Sequence, residues 1–311
     1  MSKSLSLLLS LSLLAPAVAL SQQEAYRFVI IPKVVHPWYD LVNQGAHQAS
    51  AMIEQQTGKK VLIDYQAPHQ ADITEQNRLL AQAIAAKPTG IAIDLLDDQV
   101  TKSTLEAAIQ QGVPVVLFDS EPPTGLALTY IGNDFCEQAQ MAARRLVELM
   151  GGQGEVAIMQ GVPTAVNHRL RAECHERLLQ QHPEMKLVAK GIDNDSIATA
   201  HEQAKAIMAE HPQLQGWLSC DAGGGIGIAQ AIQEANKVGA VFNVALDDLP
   251  ETIQLIQEGV IDSAYATKPR TQGYWAVVAL WQAQAGAPLP QHIDTGIGVV
   301  SQANAAHYQG K

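Results

Sequence analysis

The stretch FVIIPKVVHPWYD, residues 28–40, sets a cation (Lys33), an imidazole (His36) and two adjacent aromatic rings (Trp38, Tyr39) directly behind a run of strand formers. Further along, Asp119, Asn167, Arg171, Cys220, Asp247 and Thr267 also follow short apolar runs. Carboxylates, cations and neighbouring aromatics together suit a polyhydroxylated ligand. The CH faces of a sugar pack on aromatic rings, and its hydroxyls donate to carboxylates and accept from Lys, Arg or His. Such charge-assisted hydrogen bonds are worth roughly 1.5–3 kcal/mol each, so the hydroxyl pattern is read sharply. Pro37 holds His36 extended and can open a helix.

Each of these residues has a plainer structural role as well. Asp119 and Asp247 suit helix N-caps, and so does Asp221. Trp38 and Tyr39 suit core positions, and neighbours on a helix point in different directions. Lys33 can simply pair with Asp119, and Arg171 can sit on a helix surface. His168 belongs with Asn167 and is open to either reading.

Other chemistries find less support. CDAGGGIGIAQA, residues 220–231, completes G-x-G-x-x-G in neither frame, and it does not belong to the opening βα unit. No phosphate-binding G-x-x-x-x-G-K-[ST] and no G-x-S-x-G elbow occurs. The histidines and the three cysteines, Cys136, Cys174 and Cys220, lack metal spacing. The sequence therefore predicts no cofactor and no metal. The odd cysteine count leaves at least one thiol outside an internal bridge, and a Cys136–Cys174 bridge stays open. Asp119 and Asp247 could serve as the acid and base of a saccharide hydrolase only if held about 5–9 Å apart.

The elements that would position these residues alternate along the chain. Short apolar runs at residues 28–31, 61–65, 90–93 and 115–118 read as strands. Segments 41–56, 73–86 and 102–111 between them carry helical spacing. After the turn-rich SEPPTG, residues 120–125, a second series begins. Its strands fall at 155–159, 187–190, 216–219, 241–246 and 263–267. Its helices fall at 135–150, 169–181, 197–210, 225–236 and 249–258, with a last helix at 272–284 and a strand at 298–300. The expectation is an α/β fold of two doubly wound parallel-sheet lobes, with ligand held at the carboxyl ends of the strands.

The formal net charge of −11 and the lack of a basic stripe argue against a nucleic-acid partner. Residues 1–21 read as a signal peptide: Lys3, a leucine-rich run, then small residues before a cleavage point near Ala19 or Ser21. The apolar run falls short of the ~20 residues of a membrane span, and no cysteine lies there for a lipid anchor. The predicted mature protein is exported to the periplasm and monomeric.

Several segments carry a family resemblance: IIPKVVHPWYDLVNQGA, VPVVLFDS, RLRAE, LSCDAGGGIGIAQAI and VALDDLPETIQLIQEGVIDSAYATKPRTQG. With them the mature chain resembles the periplasmic sugar-binding proteins of the ribose-binding type, a group that includes the autoinducer-2 binders. The resemblance implies the type I periplasmic binding protein fold. Its lobes would be 22–133 plus 268–296 and 134–267 plus 297–311, with crossover hinges near Asn133, Thr267 and Ile297. It implies ligand contacts at His36, Trp38, Tyr39, Asp119, Arg171 and Asp247. Cys220 and Thr267 stand where ribose binders carry Asn and Gln, and Asn194 stands where they place an aromatic. Lys33 and Asp119 look more like the autoinducer-2 binders. The implied activity is capture of a sugar or polyol for a membrane ABC permease. Docking on a chemoreceptor or sensor kinase is the alternative.

Overall fold

The computed structural model describes residues 25–308. The leader expected at residues 1–21 lies outside them. The first sheet is built from β1 (Tyr26–Ile31), α1 (Pro37–Thr57), β2 (Val61–Tyr65), α2 (Ile73–Ala85), β3 (Gly90–Ile93), α3 (Asp98–Gln110), β4 (Val115–Phe118) and β5 (Thr129–Gly132). The second series runs α4 (Phe135–Met150), β6 (Gly154–Met159), α5 (Val166–Leu179), β7 (Met185–Gly191), α6 (Ile197–Glu210), β8 (Leu214–Ser219), α7 (Gly224–Glu234), β9 (Phe242–Leu246), α8 (Pro250–Gln257) and β10 (Ser263–Ala266). The chain then returns to the first lobe through α9 (Pro269–Gln284) and β11 (His292–Asp294), and ends in the second with β12 (Gly298–Ser301).

The two sheets have strand orders β11-β5-β4-β3-β1-β2 and β12-β10-β9-β8-β6-β7. The central strands are buried on both faces, which is why GIAI and VVLF read as unbroken apolar runs. β12 pairs antiparallel with β10, so the second sheet is mixed where parallel strands were expected. Two strands escape the sequence reading. β5 is only TYIG beyond a turn-rich loop, and β11 is a three-residue, half-exposed edge. Several helices begin earlier than their apolar spacing suggests. α1 starts at Pro37, α5 at Val166 and α9 at Pro269, because these first turns carry prolines or side chains turned to the site, which interrupt the apolar spacing.

Two contacts fix the elements that bear the site. α1 lies against α9 so closely that a Cβ on Gly45 or Gly273 would overlap a carbonyl oxygen of the facing helix. The only side chain that fits at either crossing point is hydrogen. Cys136 on α4 and Cys174 on α5 form a disulfide, and Cys220 is free and buried. α5 has no side-chain N-cap, so the bridge and its packing on α4 hold it.

Candidate ligand site between the lobes

His36 caps α1: its backbone is extended and its Nδ1 accepts the Trp38 backbone N–H at 3.2 Å. Trp38 and Tyr39 therefore lie in the first helical turn, ring centroids 4.9 Å apart and edge to face. They diverge as helical neighbours must, yet both line one cavity. The Trp38 Nε1–H donates to Thr267 Oγ1 at 2.9 Å, and the Tyr39 hydroxyl donates to Asp94 Oδ2 at 2.6 Å.

Asp119 and Asp247 occupy matching places in the two lobes. Each follows a central strand, adopts a left-handed backbone (φ 45° and 62°), and donates its N–H to a carbonyl of the next strand, Ile131 or Tyr265. Neither caps a helix. Aspartate tolerates this conformation better than most residues, and the turn aims the carboxylate off the strand end into the cleft. Asp119 accepts from Asn167 Nδ2 at 2.6 Å and Gln272 Nε2 at 3.3 Å. Asp247 Oδ1 accepts from both the backbone and the hydroxyl of Thr267.

Arg171, buried on α5, donates through Nε to Gln138 and through Nη1 to the Cys220 carbonyl, and it lies over the Phe135 ring at 4.8 Å. Its Nη2 stands 3.8 Å from Asp119 and has no hydrogen-bond partner among the described residues. Lys33 is equally buried. Its Nζ donates to Asn167 Oδ1 at 3.2 Å, touches His168 Nε2 at 2.9 Å, and stands 3.8 Å from Asp94 and 3.7 Å from Asp195. Burial opposes its charge, but Asp94, Asp195 and Asp119 outweigh that and hold its pKa above the ordinary lysine value. Burial pushes Asp119 up, against the pull of Arg171 and Lys33. Burial also lowers the pKa values of His36 and His168.

One cavity brings together Lys33, His36, Trp38, Tyr39, Asp119, Arg171 and Asp247, all expected from the sequence. Asn167 and Thr267 stand just behind its wall, bonded to wall residues. Cys220 is a correction. Its side chain is packed in the second lobe's apolar core, and only its carbonyl reaches the site. The cavity also takes in His168, Asp195, Asp221 and Ala222. Asp221 combines two roles, since it caps the Gly223 and Gly224 N–H groups as well. Asp94 supports the site by holding Tyr39. It follows β3 directly, so the rule that found Asp119 also reaches it. Asp195 gave no such signal, because it lies in a loop past β7.

The lobes are shut. Asn167 to Asp119 and Lys33 to Asn167 are bonds between lobes. At the rim Thr164 donates to the Leu96 carbonyl at 2.7 Å, Arg169 meets Asp98 at 3.4 Å, and Leu96 packs on Val162 and Ala165. The cavity that remains is about 20 Å3, on the scale of a single water.

The sequence profile of the periplasmic binding protein domain matches residues 27–288. The chain belongs to this family. It is a type I periplasmic binding protein, an extracytoplasmic solute-binding protein and not an enzyme. A D-apiose import binding protein of Actinobacillus succinogenes is 28% identical over 68% of this chain and 67% of its own. GanP, a glucose-galactose binding protein of Geobacillus stearothermophilus, superposes with a TM-score of 0.83 at 29% identity, covering 91% of this chain and 99% of GanP. An ABC transporter solute-binding protein of Burkholderia graminis, solved with D-arabinose, gives 0.84 at 28% identity over 91% and 97%.

Proposed function

We propose that this periplasmic binding protein captures a sugar or sugar-like polyol between its lobes and delivers it to an ABC importer. The observation that carries this reading is the convergence of paired aromatics, two strand-end aspartates, Lys33 and Arg171 on one hollow. Trp38 and Tyr39 stack on the CH faces of the ring. Asp119 and Asp247 accept hydroxyl protons, and Arg171 Nη2 and Lys33 Nζ donate to hydroxyl oxygens. In the shut lobes Asp119 is bonded by Asn167 and Gln272, Asp247 by Thr267 and Lys33 by Asn167. A sugar ring is larger than the roughly 20 Å3 left in the shut lobes, so it enters while they are parted and takes over those bonds as they close round it, leaving no buried charge unpaired. The relatives support the ligand class, since their names speak of apiose, glucose, galactose and arabinose.

The lobes of this reading are 22–133 plus 268–296 and 134–267 plus 297–311, and residues 1–21 are a cleaved export signal. Titration calorimetry with pentoses, hexoses, polyols and sugar acids tests the binding claim. At least one is expected to bind with a micromolar or lower Kd, and silence across the whole panel would overturn it. Sugar uptake lost on deleting the gene and restored by the intact chain tests delivery.

A further inference from the structure

The room that the shut lobes leave lies outside the inner hollow. A groove of about 680 Å3 opens beside it, against about 20 Å3 inside. The first lobe gives the groove Val35 and Gln70, and the second gives Asn194 from the β7–α6 loop and Ile197 from the start of α6. His36 and Asp195 line both spaces and stand at the boundary between them.

The shared residues bring unused polar atoms to the junction. His36 is 8% exposed, and its Nδ1 is occupied by the Trp38 N–H. A ring that accepts at Nδ1 carries its proton on Nε2, a donor with no hydrogen-bond partner among the described residues. Asp195 Oδ2, 3.7 Å from Lys33 Nζ, is a buried acceptor with no hydrogen-bond partner among the described residues. A buried donor and a buried acceptor left unbonded cost roughly 1–3 kcal/mol each, so a partner that satisfies them together binds well. Val35, 62% exposed, adds an apolar face at the lip.

We propose that this groove is an outer subsite and that the preferred ligand is a glycoside: one ring in the inner hollow, a second glycosyl unit in the groove. Hydroxyls beside the glycosidic link accept from His36 Nε2–H and donate to Asp195 Oδ2, and Val35 packs against the second ring. This rests on the sugar-binding reading above.

Calorimetry compares D-xylose, D-glucose, D-galactose and L-arabinose with xylobiose, cellobiose, lactose, melibiose and arabinobiose. One disaccharide is expected to bind at least about tenfold more tightly than either component sugar. Val35→Trp and Gln70→Trp, both at exposed positions, should remove that gain and leave monosaccharide affinity within about twofold. Thermal melts verify that both variants fold. A free monosaccharide that binds as tightly as every disaccharide containing it overturns the outer subsite and leaves the sugar-binding reading standing. Disaccharide affinity that both variants leave unchanged does the same. If no saccharide of either size binds, both readings fall.

Discussion

At the residue scale the test of the site is chemical. Asp247 sits at φ 62° and holds Thr267. An Ala there would lose the carboxylate and also strain the backbone, by about 1 kcal/mol or more. Asp247→Asn separates the two effects, because Asn tolerates the left-handed turn. It should cut ligand affinity at least about tenfold in calorimetry with little change in Tm. Arg171→Lys is no conservative change, since a single ammonium cannot reach Gln138, the Cys220 carbonyl and the Asp119 side together. A loss of about 2–5 kcal/mol of binding is expected, with Asp119 left underpaired. Burial, with Asp195 close by, pushes the Asp221 carboxyl up to about 7. Unfolded aspartate titrates near ~3.9, so the folded chain holds an extra proton between these values. Stability is then fullest at the acid end of that window and is lost as pH rises through about 7. Tm should fall between about pH 5 and about pH 8, and Asp221→Asn should flatten that fall.

At the scale of elements, the disulfide and the α1–α9 crossing hold the side chains of the candidate site in place. The Cys136–Cys174 bridge spans 38 residues, which in the chain-entropy account stabilises by up to about 4 kcal/mol. Replacing both cysteines by Ala should lower Tm by several degrees and weaken binding through α5, which carries Asn167, His168 and Arg171. Gly273→Ala should be worse than its one carbon suggests, costing about 1–3 kcal/mol, because backbone and not a flexible side chain stands in the way. The elements were also the most legible part of the sequence. Buried parallel strands write themselves as apolar runs, and the residue after each run is thrown toward the cleft. That rule located Lys33, Asp119 and Asp247. It misplaced Cys220, whose position is right but whose side chain alternates into the core. Asp195 stayed illegible because in a run of acids and Asn it looks like an ordinary solvated loop, and only the opposite lobe makes it part of a wall. β11 was hidden for a similar reason: a three-residue edge has no pattern of its own and is defined by pairing with β5.

At the scale of the whole molecule the question is how the lobes share their time between open and shut. Ligand shifts that balance only by preferring the shut form, and whatever holds the rim shut without ligand sets how much it must contribute. Thr164 to Leu96 and Arg169 to Asp98 are such rim contacts, outside the cavity. Thr164→Val combined with Arg169→Ala should enlarge the radius of gyration of the unliganded protein in small-angle scattering. It should also weaken apparent affinity by a few-fold, with the fully liganded radius unchanged. An unchanged unliganded radius would mean these contacts do not set the balance. The chain passes between lobes after β5, after β10 and between β11 and β12. A protease that nicked any one of these passages would leave the halves tethered by the remaining two. Fragments would then part on a denaturing gel while the cut protein still ran as one particle on a sizing column.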